Sequence, residues 1–196
     1  MPPASAPADE VARARCAHLS AAELRLARER LGVLQRDVDG PPVGVLVGEG
    51  PGPGSSRDHA LFPHPASSSG GRLMRYGGLP PGVFLGRLLR RNLCREAFSV
   101  AEAEASALAL LRELDETDDD FRLLLLGADV GRAFGVGRFY DHARTRDPDR
   151  AEPRWHDCVC IPHPSGQNRL YNDPAHRRAA GAAVAWAAGL AGRGST

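Results

Sequence analysis

Residues 158–174 read CVCIPHPSGQNRLYNDP and contain, in order, a predicted strand, a loop and the start of a helix. The short apolar run at residues 158–161 predicts a buried strand. Asp173 followed by Pro174 is typical of a helix start, because aspartate caps the first turn and proline suits the first helical position. The loop between these elements therefore lies at the carboxyl end of a strand, which is where open α/β sheets bind their ligands.

Two more apolar runs predict buried strands, at residues 43–47 and 121–126. Helices are predicted around them, over residues 72–77, 81–91, 127–135 and 174–190 and after the capping boxes Ser20/Glu23 and Ser99/Glu102. Residues 48–71 predict an irregular site loop, and residues 136–157 a partly mobile surface excursion. Strands alternating with amphipathic helices predict an α/β fold, a three-layer α/β/α arrangement with a mainly parallel central sheet.

The length of 196 residues suits one domain with a substantial core. Residues 1–10 are rich in proline and alanine, which predicts a disordered tail, and residues 11–196 are predicted to form the single domain. No apolar run is long enough to span a bilayer, and the N-terminus lacks the pattern of a secretory signal. A cytoplasmic protein is therefore expected, with no membrane partner.

All 25 basic side chains of the Lys+Arg class are arginines. Without lysine there is no side-chain amine for a Schiff base and no lysine to complete a phosphate-binding P-loop. The net charge of +1 does not by itself indicate a nucleic-acid binder, although it allows a local basic stripe. One candidate rim of phosphate contacts, with a solvated surface as the alternative, comprises Arg87, Arg90, Arg91, Arg95, Arg169, Arg177 and Arg178.

The four cysteines, Cys16, Cys94, Cys158 and Cys160, contain no C-x-x-C pair. In a cytoplasmic chain this pattern favours free thiols over disulfides or metal ligands. No metal site is expected.

The glycine-rich turn at residues 48–54 follows the first predicted strand. A phosphate-binding loop is disfavoured because G-x-G-x-x-G is not satisfied and the P-loop lysine is absent. A tight turn without function and a ligand site both stay open at this point.

Three further residues have chemistry suited to a flat, polar ligand. Phe62 lies in the predicted site loop, where it either stacks on a planar group or belongs to the core. Asn92 carries a donor and an acceptor that match the edge of a pyrimidine, with a helix C-cap as the alternative. His163, between two prolines at a strand's carboxyl end, is a candidate proton donor, although a lone histidine is often structural.

Together these segments resemble the motifs of the uracil-DNA glycosylase superfamily. The matching residues are Gly48-Glu49-Gly50-Pro51-Gly52, Phe62, Asn92-Leu93-Cys94 and His163-Pro164-Ser165-Gly166, in that order. The resemblance covers roughly residues 43–180 and is closest to the bacterial group whose first motif reads G-E-A-P-G.

The resemblance implies a role for each segment. Phe62 would stack on a flipped base, Asn92 would read the pyrimidine edge, and His163 would hydrogen-bond the carbonyl oxygen that gains charge as the N-glycosidic bond breaks. Gly50 and Gly52 would line the base pocket. The DNA would be contacted by the loop that follows the histidine, comprising Ser165, Gly166, Gln167, Asn168 and Arg169.

The sequence also departs from the family pattern. Gly50 stands where some branches carry the Asp or Asn that activates water, so Glu49 becomes the candidate for positioning water. Gly52 replaces the tyrosine that excludes thymine, so bases substituted at C5 are expected to fit. Gln167 replaces a leucine wedge, which leaves Arg169, Leu170 or Tyr171 to fill the emptied site. The cysteine spacing does not match the iron-sulfur cluster of the G-E-A-P-G group, so no cluster and no other cofactor are expected.

The predicted function is that of a monofunctional DNA glycosylase that hydrolyses the N-glycosidic bond of uracil or a related pyrimidine in DNA, acting as a monomer. One alternative is an N-glycosidase for free nucleosides or nucleotides, in keeping with the weak overall basicity. Another is a non-catalytic module that recognises damaged DNA, which Gly50 in place of an acidic or amide residue would suit.

Overall fold

The computed structural model describes residues 41–50, 60–63, 65–95, 97–117 and 119–190. Its strands are β1 (Gly44–Gly48), β2 (Leu88–Asn92), β3 (Arg122–Leu126), β4 (His142–Thr145) and β5 (His156–Ile161). Its helices are α1 (Ser69–Tyr76), α2 (Pro81–Arg87), α3 (Val100–Asp115), α4 (Ala128–Ala133) and α5 (Pro174–Ala187), with a 3-10 helix at Arg169–Asn172 before α5. The predicted tail at residues 1–10 and the helix predicted after Ser20 lie outside the described residues.

The five strands form one sheet in the order β2-β1-β3-β5-β4. The strands β2, β1, β3 and β5 run parallel, and β4 pairs antiparallel with β5 at one edge. Gly48 pairs with Asn92, and Leu126 pairs with Ile161, so the parallel strands end in register along one edge of the sheet. This edge is called the carboxyl edge below.

Helices cover both faces of the sheet, which confirms the predicted three-layer α/β/α arrangement. Val45 and Val47 face an apolar cluster that includes residues of α3 and α4, whereas Leu46 faces the cluster formed with α1, α2 and α5. Leu123 to Leu126 alternate between the same two clusters. Because both faces are buried, the strands appear in the sequence as continuous apolar runs rather than alternating ones.

The predicted helix starts at Ser99 and Asp173 are confirmed. The Ser99 hydroxyl accepts a hydrogen bond from the amide of Glu102 (3.5 Å), and the Asp173 carboxylate accepts one from the amide of Ala175 (2.7 Å). The reciprocal bond of the Ser99/Glu102 capping box, from the amide of the N-cap to the glutamate, is replaced. The Glu102 carboxylate accepts from the amide of Arg95 (2.8 Å) instead. In α3 the buried positions are Ala103, Ala107, Leu110, Leu111 and Leu114.

The predicted helix over residues 81–91 is wrong in its second half, because β2 begins at Leu88. The segment pairs in parallel with all of β1, which supplies the backbone hydrogen bonds that a helix would otherwise provide. Leu88 and Leu89 pack on opposite faces of the sheet. A run of five residues with two leucines fits a helical and a strand period equally well, so only the neighbouring strand decides between them.

Residues 136–157, predicted to be a partly mobile surface excursion, are mostly exposed but contain the strand β4 and the start of β5, which were not predicted. Three polar residues in this segment are buried and bonded. The Thr145 hydroxyl donates to the carbonyl of Phe134 (3.0 Å), Asp147 pairs with Arg112 (2.8 Å), and His156 bonds Asp115 (2.8 Å). The charges that suggested a surface segment therefore anchor it to α3. In the described parts of the chain, no helix has the length and apolar character needed to cross a bilayer.

Candidate active site

The carboxyl edge brings together the ends of the four parallel strands. Asn92 is the last residue of β2, Gly48 the last of β1, Gly127 follows β3, and His163 follows β5 by two residues. With a spacing of about 4.8 Å between neighbouring strands, the backbones at Asn92 and His163 are about 14 Å apart. Two side chains and one planar ring between them can span that distance.

Asn92 and the site loop meet above Gly48. A Cβ atom placed on Gly48 would lie 3.0 Å from Oδ1 of Asn92 and 3.6 Å from Cδ1 of Leu61. Leu61 therefore passes over the end of β1 next to the Asn92 amide. Its φ of 53° is in the left-handed region, which costs a non-glycine residue about 1–2 kcal/mol. Strained backbone of this kind is concentrated at functional sites.

Phe62 follows Leu61 and is 6% exposed. Its carbonyl accepts a hydrogen bond from the hydroxyl of Ser68 (2.9 Å), which is also the N-cap of α1. Among the described residues, Phe62 belongs to neither of the two apolar clusters on the sheet faces.

Glu49 and His163 lie on either side of Gly127. A Cβ atom on Gly127 would be 2.5 Å from Oε1 of Glu49 and 3.6 Å from Cβ of His163. Gly127 has φ 109° and ψ 155°, a conformation that is available almost only to glycine. The absence of a side chain here leaves room for the carboxylate and for the backbone that carries the imidazole.

Burial shifts the pKa values of both ionisable groups. The pKa of Glu49 is raised above its ordinary 4.5, first by burial and then by the negative charge of Asp129. The pKa of His163 is lowered below its ordinary 6.5 by burial. At neutral pH the imidazole is therefore neutral and can donate one N–H, and the carboxylate is more basic than usual.

The loop around His163 is held on both sides of that residue. The Tyr171 hydroxyl donates to the carbonyl of Pro162 (2.5 Å), and the Asn168 side-chain amide donates to the carbonyl of His163 (3.0 Å). Asn168 Oδ1 also accepts from the amide of Leu170 (3.1 Å). Both ends of the Asn168 amide thus hold the loop in place, and a contact between Asn168 and DNA stays a prediction.

Replacing Tyr171 with Phe is expected to lower the stability by about 1 kcal/mol, because a buried carbonyl loses its donor. It should also lower kcat several-fold, since the backbone beside His163 is no longer fixed. Thermal unfolding and single-turnover base release measure the two effects. The matched control is Tyr76→Phe, whose ring stacks on that of Tyr171 at 5.1 Å. Equal losses in both variants would contradict a positioning role for the Tyr171 hydroxyl.

The other predicted site residues lie as follows. Gly50 is half-buried at the start of the site loop, and Gly52 lies outside the described residues. The loop after His163 presents Gly166 and Gln167 to solvent and leaves Ser165 half-buried, and Arg169 is exposed on the 3-10 helix.

The predicted arginine rim is wrong for at least two of its members. Arg87 lies at the opposite end of β2 from Asn92 and donates to the carbonyl of Pro41 (3.2 Å). Arg91 pairs with Glu113 of α3 (3.1 Å). These guanidinium groups are engaged in the fold, which sequence spacing alone did not indicate.

The three described cysteines, Cys94, Cys158 and Cys160, are free and buried. Burial raises the pKa of Cys158 and of Cys160 to about 12, so both are thiols at neutral pH. The described ranges contain no group of three or more His, Cys, Asp or Glu residues placed to hold a metal ion.

Sequence analysis missed two residues that shape the site. Gly127 was treated as the start of a helix, although a glycine directly after a buried strand was available as a signal. Tyr171 was considered only as a wedge into DNA, whereas it is 5% exposed and supports the His163 loop. No feature of the sequence pairs the Tyr171 hydroxyl with Pro162.

Comparison of the chain with protein-family models, curated proteins and solved structures gives no match. Fold and site therefore define the class of protein here. It is an α/β protein in which a carboxylate, an amide and a neutral imidazole lie along the carboxyl edge of a mainly parallel sheet.

Proposed function

We propose that the protein is a monofunctional DNA glycosylase that releases uracil or a related pyrimidine from DNA. The observation that carries the proposal is that Glu49, Asn92 and His163 lie along one edge of the sheet, with Glu49 and His163 both next to Gly127. Each of them belongs to a different motif of the resemblance to uracil-DNA glycosylases. Segments up to 114 residues apart along the chain thus supply the chemistry that the motifs imply.

Asn92 and Phe62 would bind the base after it leaves the duplex. An amide with a donor and an acceptor complements the imide edge of uracil. A buried aromatic residue beside it can offset part of the cost of unstacking, which is a few kcal/mol. The burial of Phe62 suits a ring that is shielded from solvent until a base enters the pocket.

His163 would stabilise the departing base. Breaking the N-glycosidic bond leaves both bonding electrons on the pyrimidine, and its carbonyl oxygen takes up negative charge. A neutral imidazole that donates one hydrogen bond to this oxygen stabilises the transition state more than the ground state. Its loop is held by Tyr171 and Asn168, so the donor needs little reorganisation.

Glu49 would position the water that completes the reaction. The sugar left behind carries positive charge at C1′, to which a water oxygen adds. The water proton passes to the Glu49 carboxylate, whose raised pKa makes it a better acceptor, and the base anion takes a proton from solvent. The products are the free base and an abasic site. Without lysine in the chain, cleavage of the strand through an imine has no side-chain amine.

Leu170 is the best candidate to fill the space that the flipped base leaves. Of the three residues considered for this role, Tyr171 is buried and bonded to Pro162, whereas Leu170 is 42% exposed on the 3-10 helix after the loop. An exposed apolar side chain next to a DNA-facing loop can insert between bases as a wedge. Because glycine occupies position 52, we also propose that pyrimidines substituted at C5 are substrates.

The test is to incubate the protein with an oligonucleotide that contains one uracil and then to treat the product with alkali. We expect a strand break only after alkali. Absence of a break for uracil, 5-substituted uracils and other deaminated bases would overturn the glycosylase. A break without alkali would overturn the monofunctional mechanism. Release of base from a mononucleotide at an equal rate would favour a nucleotide N-glycosidase instead.

The activity is expected to fall on the acid side and to be flat at neutral and alkaline pH. The mechanism needs an ionised Glu49 and a neutral His163, and both are lost as the pH decreases. The part of the fall due to His163 should lie below pH 6.5, because its pKa is lowered from that value, and the part due to Glu49 should lie above pH 4.5, because its pKa is raised from that value. Single-turnover rates between about pH 4 and 9 measure it. A maximum near pH 5 would contradict the proposed protonation states.

The variant Glu49→Gln separates the pH dependence due to Glu49 from that due to His163. We expect a decrease in kcat of about 10²-fold or more, with a residual pH dependence that follows His163 alone. A carboxyl group whose pKa is raised by folding destabilises the folded state as the pH rises above its unfolded value. Tm should therefore be higher in Glu49→Gln than in the unchanged protein at pH 7, and the difference should disappear near pH 4.5.

A further inference from the structure

A cavity of about 320 Å³ lies beside the loop that carries His163. Its walls come from α1, the loop, the 3-10 helix and α5. The residues that matter most are Arg72, Arg75, Arg177, Gly166 and Tyr171. We call it the arginine cavity.

The positive charges of the arginine cavity have no acidic partner. No carboxylate is among its lining residues, and within the described ranges none of Arg72, Arg75 and Arg177 pairs with one. Six arginines elsewhere in the described ranges are paired with a carboxylate, in Arg91–Glu113, Arg112–Asp147, Arg132–Asp129, Arg144–Asp157, Arg150–Asp115 and Arg154–Asp120. A concave site with three guanidinium groups and no acid favours an anion.

Neutral carbonyl groups orient two of these arginines. Arg72 Nε donates to the carbonyl of Ser67 (3.0 Å), and Arg177 Nη1 donates to the carbonyl of Tyr171 (2.8 Å). A guanidinium has five N–H donors, so each keeps several for a ligand. The Arg75 side chain makes no hydrogen bond within the described residues, and Arg75 is exposed where it lines the cavity. The site is thus partly preorganised and partly adaptable.

The arginine cavity touches the catalytic loop directly. A Cβ atom on Gly166 would lie 2.8 Å from Nη2 of Arg72, so the guanidinium packs against the loop backbone. Tyr171 forms one wall, with its ring stacked on that of Tyr76, and its hydroxyl holds Pro162 next to His163. An anion bound there would lie beside the segment that presents the imidazole.

We propose that the arginine cavity binds a phosphate group of a nucleic-acid strand next to the flipped nucleotide. The paired N–H donors of arginine match two oxygens of a phosphate. The tyrosine side chains of the cavity walls add no negative charge that would repel the ligand. That the phosphate belongs to a nucleic-acid strand rests on the proposed function. The binding of a phosphate rests on the cavity alone.

The test compares Arg75→Ala with the unchanged protein by fluorescence anisotropy on a single-stranded oligonucleotide without uracil. Between about 50 and 200 mM salt, the slope of log affinity against log salt should become shallower by about 0.7 in Arg75→Ala, the value for one phosphate contact on a single strand. The double variant Arg72→Gln/Arg75→Ala should lose about twice as much. The matched control is Arg146→Ala, an exposed arginine that stacks on Trp155 and does not line the cavity. Tm measurements check that each variant is folded.

Hydroxyl-ended and 5′-phosphorylated oligonucleotides separate the two phosphate sources. A shallower salt slope in Arg75→Ala on both strands supports binding of an internal phosphodiester. A shallower slope on the phosphorylated strand alone supports binding of a terminal phosphate. An unchanged slope in Arg75→Ala on both strands, or an equal change in Arg146→Ala, overturns the proposal. This measurement uses no uracil and no catalysis. Failure of base release would therefore leave its result valid, and an unchanged salt slope would not contradict base release.

Discussion

Replacing His163 with Ala is expected to lower kcat for uracil release by about 10²–10³-fold, with little change in the affinity for DNA. The variant removes the only side chain proposed to donate to the charged oxygen of the departing base. The binding surfaces on the loop stay in place, because Tyr171 and Asn168 hold the carbonyls of Pro162 and His163 and not the imidazole. Single-turnover base release and anisotropy on uracil-containing DNA measure the two quantities.

Two further variants serve as comparisons for His163→Ala. His163→Asn keeps a side-chain N–H and should retain more activity than His163→Ala. His142→Ala, in the exposed edge strand β4, should have no effect on base release. If His163→Ala releases base as fast as the unchanged protein, the imidazole is not the stabilising donor and the mechanism fails. If there is no release to lose while DNA binding persists, the protein is a recognition module.

Gly127→Ala is expected to lower kcat by about 10²-fold, because the added methyl group displaces a neighbouring catalytic residue. The new methyl group would lie 2.5 Å from the Glu49 carboxylate, which must move, and displacements of about 1 Å in a catalytic group cost that much. The variant should also lose about 1–3 kcal/mol of stability, because alanine does not adopt the backbone conformation of Gly127. Single-turnover rates and thermal unfolding measure the two losses.

Gly78→Ala controls for the stability loss. Gly78 also has positive φ (61°), but no heavy atom lies within 4 Å of a Cβ placed there. This variant should lose about 1–2 kcal/mol of stability and keep its activity. A folded Gly127→Ala protein with an undiminished rate would show that the space beside Glu49 and His163 is not part of the site.

The strands and helices that the sequence predicted correctly are those with strong local signals. Residues 43–47, 121–126 and 158–161 are apolar runs, interrupted only by Arg122, and each overlaps a strand that is buried on both faces. Ser99 and Asp173 are N-caps, as their side chains and spacing indicated. In each case the cause lies within a few residues of the element, so no distant partner was needed to recognise it.

The errors occurred where a distant partner decides the structure. Leu88 to Asn92 is a strand because β1 lies beside it, and His142 to Thr145 is a strand because β5 does. The same holds for the arginines. Arg91 is neutralised by a glutamate 22 positions away, whereas Arg72, Arg75 and Arg177 remain without an acid in a shared cavity. Charge pairing depends on which side chains fold next to each other, and spacing in the chain does not determine this.

By itself, the sequence determined the α/β class, the apolar strands of the core and the chemical character of the loops that follow them, because side-chain hydrophobicity, capping and turn chemistry act locally. Only the tertiary structure decided that Glu49, Asn92 and His163 share one edge with Gly127 between them, and that Tyr171 and Asn168 hold the loop. The physical reason is strand register. In-register parallel pairing aligns the ends of segments far apart in the chain, and hydrogen bonds between those segments exist only once the sheet has formed.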